Sequence, residues 1–133
     1  MADLHRVAFP RGWSAYEIAQ ILDEPGAVAP AAWRGRDLMG FALGRVAVDE
    51  AEVLSLAVHA DARRRGLGAL LLEALEDACR GQGARKIFLE VSETNVPAMT
   101  LYYRGDYREI GRRPNYYGDG ATAMTMRKFL TAD

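Results

Sequence analysis

Hydrophobic and polar positions alternate along this chain in two different rhythms. Residues 53–58 (Val-Leu-Ser-Leu-Ala-Val) form a short apolar run of strand length. Residues 69–79 instead place leucine and alanine at helical spacing, with Glu73, Glu76 and Asp77 interspersed. Between them lies Arg63-Arg64-Arg65-Gly66-Leu67-Gly68, a basic turn punctuated by glycine. Earlier, Ser14 and Glu17 have capping-box spacing before Ile18, Ile21 and Leu22, and Asp23-Glu24-Pro25-Gly26 ends that helix. Strands are expected at 27–33 and 38–46, with turns at 34–37 and at Asp49-Glu50, giving an antiparallel meander with 53–58.

Gly81 and Gly83 stop the central helix, and residues 86–91 (Lys-Ile-Phe-Leu-Glu-Val) read as the next strand. Strand, helix and strand in succession predict that 53–58 and 86–91 are parallel neighbours. Asn95 near a cap and Pro97 in a first turn signal another helix, running to Arg104. Strands at 107–112 and 121–128, joined by the polar loop 114–120, complete the pattern. The expectation is an α/β fold with a mixed sheet of about six strands and about three helices.

Composition narrows the function. At 133 residues a single domain with a real core is expected. A net charge of -1 argues against general nucleic-acid binding and makes the arginine run a local feature. The single cysteine, Cys79, excludes an internal disulfide and lies among alanine and leucine, where a buried, inert thiol is expected. No leader or membrane span is visible, so a cytoplasmic protein is expected. His5 and His59 lack ligand spacing, and no metal is expected.

The strand–basic turn–helix segment carries the chemistry. Glycine lets backbone approach a ligand, and the first N–H groups of a helix lack internal partners, which favours a bound pyrophosphate. Neither a nucleotide-hydrolysing P-loop nor the ribose-binding acid of a dinucleotide fold is present. A surface turn with solvated arginines is the alternative reading.

Arg63-x-x-Gly66-x-Gly68, then Leu89-Glu90-Val91 and Asn95-x-x-Ala98-x-x-Leu101-Tyr102, resemble the GNAT N-acetyltransferase superfamily in order and spacing. Arg112-Arg113-Pro114-Asn115-Tyr116-Tyr117 and the early Ala8-Phe9-Pro10 with Trp13-Ser14 are similar to its RimI-like branch, the bacterial ribosomal-protein-alanine N-acetyltransferases. The resemblance implies a mostly antiparallel sheet whose central parallel pair splays into an acetyl-coenzyme A cleft. It implies acetyl transfer to a protein N-terminal amine, that of a small-subunit ribosomal protein's alanine, without a metal. Only residues 1–6 stand where a strand and helix usually precede the Phe-Pro-x-x-Trp-Ser region, so either the first strand is short or missing or the chain starts late.

By the same resemblance Glu90 aligns with a general base and Tyr102 with a general acid. An amine attacks a thioester only when neutral, and the leaving thiolate needs a proton or a hydrogen bond. No nucleophilic serine or cysteine is required. Backbone at Leu56, Ala57 and Val58 is expected to meet the pantetheine arm, with Asn95 capping its helix and touching that arm. Arg63, Arg64, Arg65, Gly66, Leu67, Gly68 and Ala69 are expected to hold the phosphates, and Tyr116 and Tyr117 either an acceptor peptide or nothing beyond the loop.

Each role has a plainer alternative. Glu90 is also placed to pair with Arg85 or Lys86, with Glu50 and Glu52 as weaker bases, and Tyr102 to pack in the core. A lysine or small-amine acetyltransferase shares the same chemistry, and a non-catalytic acyl-coenzyme A sensor needs only the loop. Asp106 stands where the family usually has glycine, and aspartate tolerates left-handed backbone.

Overall fold

The computed structural model describes residues 20, 22–60, 63, 66–114 and 120–130. The elements are β1 (Ala27–Val28), β2 (Ala31–Arg34), β3 (Asp37–Ala47), β4 (Glu50–Val58), α1 (Leu67–Gly81), β5 (Lys86–Ser92), α2 (Val96–Arg104), β6 (Arg108–Arg113) and β7 (Ala123–Phe129). They build a seven-stranded sheet in the order β1-β3-β4-β5-β7-β6, with β2 also paired to β3. The N-terminal helix expected from Ser14 to Leu22 lies largely outside the described residues, though Gln20 and Leu22 are helical.

The strand expected at 27–33 divides at Ala29-Pro30. Val28 pairs with Gly44 and Ala31 with Phe41, so the register is unchanged across the gap. Proline has no N–H to give the ladder, and its carbonyl instead accepts from Ala42 N–H at 2.9 Å. β4 begins at Glu50, earlier than the apolar run alone indicates, because Glu50 and Glu52 lie on its solvent side while Ala51 and Val53 are buried. Strand β6 starts one residue late, at Arg108, which leaves Tyr107 fully buried at its entry.

Helix α1 packs on β3 and β4 through Leu71, Leu72, Leu75 and Cys79, all buried. Its close approach depends on two glycines of β3. A Cβ at Gly40 would stand 2.8 Å from Leu71 Cδ1, and one at Gly44 would stand 3.0 Å from Leu75 Cδ1. The leucine stripe of α1 therefore sits directly over bare backbone, which fixes where the helix begins. Tyr102 of α2, Tyr107, Met124 and Met126 join the same cluster. A smaller cluster of Phe41, Leu43 and Ala57 lies on the other face of the sheet.

β4 changes its facing partway along. The β3–β4 register jumps from Leu43↔Ser55 to Gly44↔Val53, leaving Leu54 as an extra, bulged residue. Ala51 and Val53 belong to the helix-side cluster, and so do Leu56 and Val58 beyond the bulge. Leu54 and Ala57 belong to the opposite one.

Candidate active site

The parallel pair is short. β4 and β5 pair only at Glu50↔Lys86, Ala51↔Ile87 and Glu52↔Phe88, yet β4 runs on to Val58 and β5 to Ser92. Beyond Glu52 and Phe88 the two strands separate, and each presents an open edge to the gap.

Hydrogen bonding shows which groups line it. His59 N–H donates to Met39 O at 2.7 Å, and Phe41↔Ala57 and Leu43↔Ser55 are register partners. In an antiparallel ladder alternate residues bond to one neighbour. Residues 55, 57 and 59 therefore face β3, and Leu56 and Val58 direct their N–H and C=O toward the gap. The Val58 carbonyl accepts from Arg63 Nε at 3.1 Å. Leu56 N–H and C=O and Val58 N–H are the groups left for an extended, amide-bearing ligand, bound as an added strand.

That edge leads to the start of α1. Gly66 occupies the N-cap with φ 79, in the left-handed region where a side chain is strained, and no side chain caps the helix. The first intrahelical bond runs from Leu70 N–H to Gly66 O at 3.1 Å, so the N–H groups of Leu67, Gly68 and Ala69 have no acceptor within the helix. No acidic residue lies in the first turn to compete for them. A Cβ at Gly68 would meet Leu101 of α2 at 3.5 Å and Val58 of β4 at 3.9 Å, so helix start, strand end and α2 converge here.

Arg63 takes a different place from the one its charge implies. Its Nε is used on the Val58 carbonyl, which ties the turn to the end of β4, and its side chain is otherwise exposed. Arg64 and Arg65, like Tyr116 and Tyr117, lie outside the described residues.

Glu90 is exposed on β5, opposite Thr125 of β7. Its neighbours Leu89 and Val91 are buried in the helix-side cluster, so Glu90 stands on the opposite face, beside the separating strands. No ion pair with Arg85 or Lys86 forms; Lys86 instead lies 3.8 Å from Glu50. Glu52 is 3.7 Å from Arg45, so each of these carboxylates has a cation beside it, whereas Glu90 has none among the described residues.

Tyr102 is 8% exposed, its ring tilted against Tyr107 with centroids 5.6 Å apart. Burial pushes its phenol up to about 12, so the hydroxyl keeps its proton at neutral pH. Among the described residues that hydroxyl has no hydrogen-bond partner. Asn95 caps α2, its Oδ1 accepting from Ala98 N–H at 3.3 Å. Asp106 takes φ 73, the left-handed turn expected of it. Cys79 is fully buried, and burial followed by the nearby Glu76 charge raises its thiol to about 11, which keeps it inert.

Two features escape a reading of the sequence. Glu76 is buried on α1, accepting from the Tyr107 hydroxyl at 2.8 Å and from Lys128 Nζ at 2.8 Å. Its partners lie 31 and 52 residues away, beyond any local spacing rule. A cavity of about 430 Å³ also opens at the β2–β3 turn, lined by Arg34, Arg36, Asp37, Leu38, Met39 and His59.

A parallel pair that parts to expose a strand edge, leading into an uncapped helix start, defines an α/β fold built around a cleft for a long phosphate-bearing ligand. Known proteins give that class a family. The model of the acetyltransferase (GNAT) family matches residues 1–105, and the chain belongs to this family. It is 40% identical over 80 residues to the [ribosomal protein bS18]-alanine N-acetyltransferase of Salmonella typhimurium, a match spanning 60% of this chain and 54% of that protein. The chain thus spans about half the length of the curated relatives it matches there. An N-alpha-acetyltransferase of Saccharolobus solfataricus is 27% identical over 140 residues, 96% of this chain and 84% of its own. The crystal structure of the ribosomal-protein-S18-alanine N-acetyltransferase from Escherichia coli superposes with a TM-score of 0.89 at 29% identity, covering 99% of this chain and 86% of that one.

Proposed function

We propose that this chain transfers acetyl from acetyl-coenzyme A to a protein N-terminal α-amine, that of a small-subunit ribosomal protein beginning with alanine. The observation that carries the reading is the end of β4–β5 pairing at Glu52↔Phe88 with both strands continuing past it. Leu56 and Val58 would bond the pantetheine amides, and the N–H groups of Leu67, Gly68 and Ala69 the pyrophosphate. Asn95, its Oδ1 held by the cap, retains its amide N–H₂ for the same arm. The bacterial and archaeal relatives named above for α-amine acetylation support the choice of acceptor.

In this mechanism the neutral amine attacks the thioester carbon, the C–S bond breaks, and the sulfur leaves as thiolate. Glu90 takes the proton that the amine nitrogen must lose, directly or through one water. The Tyr102 hydroxyl would serve the leaving sulfur. Burial raises this phenol to about 12, so it keeps its proton and is suited to donating a hydrogen bond rather than giving the proton up. Tyr102 therefore acts chiefly by donating a hydrogen bond as sulfur gains charge, and solvent completes the protonation.

Mass spectrometry of peptides incubated with the chain and acetyl-coenzyme A tests the acceptor. One set carries free N-termini beginning with alanine, serine or methionine; a matched set has blocked N-termini and free lysines. Acetyl gained on free alanine termini is expected. Transfer to lysines alone would keep the chemistry and change the acceptor. Binding of acetyl-coenzyme A without transfer to either set would favour a sensor.

A further inference from the structure

Ser55 is a buried polar residue of β4, past the last position paired to β5, that the mechanism leaves unused. It is 7% exposed, and its Oγ is buried without a hydrogen-bond partner among the described residues. A buried, unsatisfied hydroxyl costs about 1–3 kcal/mol, and most native side chains avoid that state. Leu43, its register partner, and Ala57, two residues on, both lie in the cluster on the far side of the sheet from α1. Ser55 therefore faces that side. Glu90 faces it too, because Leu89 and Val91 on either side point into the helix-side core.

The two residues flank the gap. Glu90 lies two residues past the last paired position of β5, Phe88, and Ser55 three past the last of β4, Glu52. The bulge at Leu54 is what brings Ser55 to this face, because strict alternation from Ala51 and Val53 would have turned it toward α1.

We propose that the Ser55 hydroxyl positions the acceptor amine, accepting a hydrogen bond from the nitrogen while Glu90 receives its proton. The inference rests on the proposed acetyl transfer and supplies a partner that the chemistry lacks. A neutral primary amine carries two N–H bonds. One proton leaves to Glu90 after attack and the other stays on the product amide, and Ser55 Oγ is placed to accept from that second N–H. Nothing is transferred to or from Ser55. On this reading the acceptor amine would supply the partner that Ser55 Oγ lacks among the described residues.

The test is Ser55→Ala assayed with a peptide bearing a free alanine N-terminus, beside wild type, Ser55→Thr and Glu90→Gln. Expected for Ser55→Ala is about a tenfold rise in KM for the peptide, with KM for acetyl-coenzyme A within twofold of wild type. Its melting temperature should be equal or higher, since the change removes an unsatisfied group, and Ser55→Thr should recover most of the peptide affinity. An unchanged peptide KM, or a rise confined to acetyl-coenzyme A, would overturn the inference. So would a drop in melting temperature of several degrees, which would mark the hydroxyl as a structural partner. Normal Ser55→Ala beside slow Glu90→Gln would sink this inference alone. A wild-type chain that acetylates no amine would sink the proposed function, and the inference with it.

Discussion

The two side chains proposed for catalysis differ in burial. Glu90 is exposed and forms no ion pair among the described residues, whereas Tyr102 is enclosed and carries a phenol raised to about 12. An exposed carboxylate is open to an incoming amine, while an enclosed phenol holds its proton. Replacing Glu90 with Gln should lower kcat by about 10²–10⁴, the usual range for losing a positioned base, with binding of acetyl-coenzyme A unchanged by calorimetry. The rate should recover in part as pH rises through the α-amine's own value near about 8, where the amine deprotonates unaided. Lost binding would mark Glu90 as structural instead. Tyr102→Phe should slow turnover without loss of melting temperature, because its hydroxyl bonds nothing among the described residues. The sequence singles out both residues through their motifs, and the left-handed turn at Asp106 was legible in aspartate's tolerance of that backbone. Ser55 was not, because its facing depends on a bulge set by β3. For Arg63, charge alone does not reveal that its Nε serves the Val58 carbonyl.

Elements follow their local patterns where packing agrees with them. Leucine spacing places α1, and the order of strand, helix and strand makes β4 and β5 parallel. Local pattern does not say how far that pairing extends. Three residue pairs form and the rest do not, and the bulge at Leu54 lies just past the last of them on β4. The hairpin joining β3 to β4 is a further case. Ala47 pairs with Glu50 around Val48-Asp49, and Val48 adopts φ 59 at 92% exposure. A β-branched residue there is strained, and glycine is the usual occupant of the first position in such two-residue loops. Val48→Gly should therefore stabilise the protein by about 1 kcal/mol, seen as a rise of roughly 3–6 °C in melting temperature. An unchanged or lower value would show that the turn is relaxed as it stands. The site should be indifferent, since the hairpin lies at the paired end of β4, away from the open one.

For the whole molecule, the organising device is one sheet doing two jobs. Its β3–β4 half is anchored to α1 through Gly40 and Gly44, and its β5–β7 half is anchored through Lys128 and Tyr107 to Glu76 of the same helix. Helix α1 thus clamps both halves while the strands between them part. Removing one partner of a buried ion pair leaves the other uncompensated, so this junction is costly to break. Folding and site are linked here, because the helix that closes the core also presents its first N–H groups at the mouth of the cleft. The direct measurement is amide hydrogen exchange with and without coenzyme A. The account requires added protection at Leu56 and Val58 on the open edge of β4 and at Leu67, Gly68 and Ala69 at the start of α1, with little change at Ala57, whose amide already serves β3. Coenzyme A that binds without protecting those amides, or protects only the cavity around Arg34, Arg36 and His59, would contradict it.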